Sequence, residues 1–118
     1  MRWNTTGTRV AGITSSPGTA ANQLDRPFSV VLDSSNALYI ADQQNNRIQK
    51  WIMGAASGTT IAGQSGGGLG TTSSDFNQPS AIILDASNNF YVADTLNYRI
   101  EYWLNGASSG NTVAGVLG

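Results

Sequence analysis

The chain has 118 residues, six basic and seven acidic, a formal net charge of −1, and neither cysteine nor histidine. A length of this order holds one small domain, not two ordinary ones. Without Cys and His there are no disulfides, no thiolate chemistry, no usual general base and no commonest metal ligand; Lys50 and five scattered arginines are too thin a basic footprint for nucleic acid.

The chain opens with MRWNTTGTRVAG, which lacks the apolar stretch of a signal peptide. No run of about 18 apolar residues follows anywhere, so no membrane contact is expected. The chain reads as soluble, an extracellular setting is compatible with it, and no compartment is encoded. Asn4-Thr5-Thr6 fits the glycosylation acceptor pattern. Trp3 and the GTRVAG stretch read as the end of a truncated repeat, so residues 1–12 are expected to form one outer strand, with residues 13–23 as a loop.

Two full copies of that repeat follow. Residues 24–63 align with residues 76–115 without a gap, at a spacing of 52. Pro27 meets Pro79, Asp33 meets Asp85, Asp42 meets Asp94, Arg47 meets Arg99 and Trp51 meets Trp103. Between the copies lies a Gly/Ser-rich loop, residues 64–75, and the second unit runs over residues 76–118. Its Gly66-Gly67-Gly68 lacks the helix start and the Lys-Ser or Lys-Thr of a phosphate cradle, so it reads as a connector.

Each copy predicts four short strands divided by turn residues. The first is FSVVLD or SAIILD, apolar on both faces and expected to be deeply buried. Asp33 and Asp85 end these strands and are placed to bond the backbone of the turn that follows. The second is ALYIAD or NFYVAD, dense in β-branched and aromatic residues. A tight connection, Asp42 to Arg47 or Asp94 to Arg99, leads into RIQKWI or RIEYWL. A glycine-bounded turn then gives the fourth, TTIAG or NTVAG. Sheets with two partly apolar faces need covering on both sides, and radial stacking around an axis supplies this. The expected fold is therefore all-β: two four-stranded antiparallel propeller blades plus an extra N-terminal strand. A two-sheet sandwich explains the strands but not the repeat.

The segment P-x(4)-L-D-x(4)-[LF]-Y-[IV]-A-D-x(2)-N-x-R-I resembles the NHL repeat. Pro27, Asp33, Tyr39, Ala41, Asp42, Asn45, Arg47 and Ile48 carry the likeness, as do their partners 52 residues on. The resemblance implies a propeller, usually of six blades, completed here by other copies or by missing repeats. The family often carries a histidine before the arginine; this chain has Asn46 and Tyr98 there, so no function relying on that histidine is expected.

Asp, Asn and Arg recur identically in both units, whereas a catalytic centre needs one special constellation. Asp33, Asp42, Asn45, Arg47, Asp85, Asp94, Asn97 and Arg99 are therefore read as structural, with each arginine expected to reach its aspartate through paired N–H donors. Trp51 and Trp103 are read as packing between units. Positions that differ between the copies mark a candidate contact rim: Arg26, Gln43, Gln44, Asn46, Gln78, Thr95, Leu96 and Tyr98. No catalytic, metal or cofactor residues are expected. Bare faces on two blades imply self-association, as a closed trimer or an open head-to-tail assembly, with a protein, peptide or glycan as further ligand. The resemblance also admits enzymes. A zinc-dependent lyase needs the absent histidines; a calcium-dependent lactonase can use oxygen ligands, and Asp33 and Asp85 would supply them. RNA binding, known in some relatives, fails on charge.

Overall fold

The computed structural model describes residues 7–115, so Trp3 and the acceptor pattern at Asn4 lie outside the described residues. Eight strands form: β1 (Pro27–Leu32), β2 (Leu38–Asp42), β3 (Arg47–Trp51), β4 (Thr59–Gly63), β5 (Pro79–Leu84), β6 (Phe90–Asp94), β7 (Arg99–Trp103) and β8 (Asn111–Gly115). They make two antiparallel four-stranded sheets, β1-β2-β3-β4 and β5-β6-β7-β8.

The copies share more than strand order. Asp42 faces Arg47 and Asp94 faces Arg99 at the same rung. The first ladder slips between Pro27 and Ser29 and, in the second sheet, between Pro79 and Ala81. Left-handed backbone recurs at equivalent positions whatever the residue: Arg26 and Gln78 at φ 55° and 54°, Asn36 and Asn88 at 62° and 63°, Asn46 and Tyr98 at 53° and 54°. Asn tolerates that region, whereas Arg, Gln and Tyr enter it only where the surrounding turn demands it. Turn geometry here belongs to the repeat rather than to the residue.

The main core lies between the sheets. Tyr39, Ala41, Ile48 and Ala62 of the first unit meet Phe76, Ile82, Phe90, Val92 and Trp103 of the second. Phe90 and Trp103 stack within 11° of parallel, and the Phe76 ring centroid lies 5.3 Å from that of Trp103. On the opposite face of the first sheet, Leu38, Ile40 and Trp51 form a smaller cluster backed by Ala11 and Leu24.

Two expectations are corrected. The first strands are not deeply buried: Phe28 is 63% exposed, Val30 55% and Ile83 61%, while Ile82, the counterpart of Val30, is 2% exposed. The difference is the neighbour: Ile82 has a sheet in front of it and Val30 has none. Residues 7–12 also form no strand, because a strand requires a ladder partner and nothing in the described chain runs beside them. Gly12 nonetheless keeps the repeat's geometry, with φ 80° where Gly63 has φ 83°. A β-carbon on Gly12 would meet the Leu24 side chain at 3.4 Å, and one on Gly63 would meet Phe76, the counterpart of Leu24, at 3.1 Å.

Candidate functional site

The Asp-x-x-Asn-x-Arg stretch joins β2 to β3 through a 3-10 turn, Gln43–Asn45, and joins β6 to β7 through Thr95–Asn97. Asp42 divides its two oxygens. Oδ1 accepts the Asp25 N–H at 2.8 Å, and Oδ2 accepts Asn45 Nδ2 at 2.9 Å and Arg47 Nε at 2.8 Å. The arginine does not grip its aspartate with paired donors. Its Nη1 donates to the Thr19 and Ser65 carbonyls at 2.8 and 2.7 Å, and its Nη2 to Ala20 and Gln23 at 3.2 and 3.0 Å. All five guanidinium donors are thereby used, which a cation only 1% exposed requires.

The second unit repeats the arrangement. Asp94 accepts the Asn77 N–H at 2.7 Å, Asn97 Nδ2 at 2.8 Å and Arg99 Nε at 2.8 Å. Arg99 then reaches the carbonyls of Thr71, Thr72 and Asp75. Each hook pins the loop entering its own sheet to the β2–β3 or β6–β7 turn. Arg47 thus spends all five donors, while Arg99 makes four such bonds among the described residues; in both units the Nη bonds run to loop carbonyls, so the arrangement clamps loops.

Asp33 and Asp85 act locally, as their place at the strand end predicts. Asp33 accepts the Ser35 and Ala37 N–H groups at 2.8 and 2.9 Å and the Tyr39 hydroxyl at 3.2 Å. The Ala37 N–H is the main reason its carboxyl sits below the ordinary value of 3.8. At Asp85, desolvation pushes upward, but donors from Asn89, Ser87 and Tyr102 outweigh it and the net direction is again down. Tyr102 is raised in turn, by desolvation and then by its bond to Asp85. Among the described residues no three acidic, His or Cys groups gather closely enough to hold a metal ion.

Trp51 and Trp103 are 2% and 1% exposed, and each indole N–H donates to a turn carbonyl, of Ala55 or Ala107. Beside them lie two buried groups that sequence reasoning missed, Gln49 and Glu101, at equivalent positions and 0% exposed. Each accepts a threonine hydroxyl, from Thr60 or Thr112, and Glu101 also lies 3.6 Å from Arg99 Nε. Gln49 Nε2 and Glu101 Oε2 have no hydrogen-bond partner among the described residues.

The candidate rim residues do not behave alike. Arg26 and Gln44 are exposed, Gln43 and Gln78 are half-buried, and Thr95 is exposed with its hydroxyl on Ser80 at 2.5 Å. Leu96 is 43% and Tyr98 80% exposed. Asn46 departs from the expectation: it is 6% exposed and stitches the sheets together. Its Oδ1 accepts the Gln78 N–H at 2.8 Å and its Nδ2 donates to the Gly67 carbonyl at 3.0 Å. The structure thus joins Asn46 to Gln78 and leaves Tyr98, at the equivalent place, facing solvent.

The fold and its hooks define a tandem-repeat all-β protein with two propeller-like sheets packed face to face. Over 85 residues the chain is 33% identical to NHL repeat-containing protein 2 of Bos taurus, a stretch covering 67% of this chain and 12% of that protein. That similarity supports the NHL-repeat family and no finer assignment. The chain spans about an eighth of that relative's length. No family model matches the chain.

Proposed function

We propose that this chain is a non-enzymatic NHL-repeat binding and scaffold module that self-associates through its open sheet faces, as a closed trimeric six-bladed ring or an open head-to-tail assembly. The observation that carries the reading is the contrast between equivalent residues. Ile82 is 2% exposed where a sheet covers it and Val30 is 55% exposed where none does; Ala62 is 3% exposed, and its counterpart Ala114 is exposed. The same surface is packed once and bare once, and large bare apolar faces are uncommon on isolated soluble proteins. The non-enzymatic part of the reading is supported by the hooks, whose aspartate and arginine groups bond one another and loop backbone, and by the bonds that occupy Asp33 and Asp85. The exposed rim positions Arg26, Gln44, Leu96 and Tyr98 are where a protein, peptide or glycan ligand would be met.

Two measurements test this. Sedimentation of the wild type and of Val30→Asp should show assemblies in the first and single chains in the second; equal sedimentation would contradict the role of that face. Metal analysis of the purified protein should find no stoichiometric calcium or zinc, and finding either would favour the lyase or lactonase alternative.

A further inference from the structure

We infer that two copies join head to tail by the packing that already joins the chain's own two sheets, and that Tyr98 of one copy lies against Arg26 of the next. The inference rests on the self-association proposed above and specifies its joint.

Inside the chain, Asn46 at the end of the β2–β3 turn meets Gln78 at the entry to β5. One repeat further on, the residue at the place of Asn46 is Tyr98, and one repeat back, the residue at the place of Gln78 is Arg26. Backbone pose is conserved across both substitutions, φ 53° against 54° for the first pair and 54° against 55° for the second. A copy placed on this chain by the relation between the two sheets therefore brings Tyr98 to Arg26. The chemistry differs at both places: a small amide that bonds a backbone N–H is replaced by an aromatic ring, and the residue that supplies that N–H by one carrying a guanidinium. A guanidinium over an aromatic face is an attractive pair, and arginine stacks there better than lysine. Tyr98 is 80% exposed and held in left-handed backbone. Arg26 makes no ion pair or side-chain hydrogen bond among the described residues.

The surrounding surface continues the established joint. On the Tyr98 side, Ile83 and Val113 are 61% and 54% exposed, whereas their counterparts Val31 and Ile61 pack against the inter-sheet core. On the Arg26 side lies a groove of about 390 Å³ lined by Val10, Leu24, Phe28, Val30, Leu38 and Ile40. Gly12 holds against Leu24 the place that Gly63 holds against Phe76. An incoming β8, ending at Gly115, takes that place, so residues 7–12 must give way as the copies join.

A double-mutant cycle read by sedimentation equilibrium tests the pair, using wild type, Tyr98→Ala, Arg26→Ala and the double variant. Each single change should weaken association roughly three- to thirtyfold. The double variant should be no weaker than the weaker single, because the second change removes a partner already lost, and Tyr98→Phe should retain wild-type association. If the wild type associates but the two losses are absent or simply multiply, the Tyr98–Arg26 joint is wrong and the self-association reading stands. If the wild type is a single chain at every concentration, both fall.

Discussion

Asp42 carries two loads at once, a backbone N–H on one oxygen and the Asn45 and Arg47 side chains on the other. Removing it leaves a buried guanidinium without its counter-charge, a change that costs about 3–5 kcal/mol in comparable sites. Asp42→Ala and Asp94→Ala should each lower stability by that amount in urea unfolding, a large share of the total for a small domain. The carboxylates at Asp33 and Asp85 give a pH signature instead. Their folded pKa values are depressed, so on acidification the unfolded chain takes up protons first. Their contribution is complete above the unfolded value near 3.8 and is lost as pH falls through the folded values. Thermal melts should therefore weaken on the acid side of that point, and Asp33→Asn with Asp85→Asn should flatten the decline. Gly58 is a third sensitive position, since an added β-carbon would sit 2.5 Å from Trp51 Cε3. Gly58→Ala should destabilise by about 1–3 kcal/mol, the usual range for an overpacked core.

The strand pattern and the hook were legible in the residues: all eight strands lie where the repeat places them, and Asp33 and Asp85 bond their turns as anticipated. What was not legible depends on neighbours. An apolar strand such as β1 reads the same whether or not a sheet lies in front of it, so its exposure at Phe28 and Val30 has no sequence signal. The carbonyl acceptors around Arg47 were also invisible, because backbone groups 18 to 28 residues away carry no residue-type signature. Counting the five donors of a buried guanidinium would have shown that one aspartate was insufficient. Variation between copies marked Asn46 as a rim position, yet the variation reflects a covered joint in one unit and an open one in the other. Position-matched substitutions expose the same asymmetry. In dilute monomeric protein, Ile82→Ala should cost about 2–5 kcal/mol, while Val30→Ala should stay within about 0.5 kcal/mol, and equal costs would mean that β1 is covered in solution.

At the scale of the molecule, one sheet-to-sheet joint is complete; the outer face of the first sheet is covered in part by Ala11 and Leu24 and leaves Phe28 and Val30 exposed, and that of the second leaves Ile83 and Val113 exposed. The completed joint shows what such faces do when a partner is present: Tyr39, Ile48 and Ala62 lose nearly all solvent contact against Phe76, Phe90 and Trp103. On the self-association proposed above, these exposed positions mark docking faces for further copies. Light scattering of the wild-type chain over a wide concentration range tests this most directly. Self-association through these faces should give a discrete mass of three chains, or larger species that grow with concentration. A compact single chain at every concentration would contradict it.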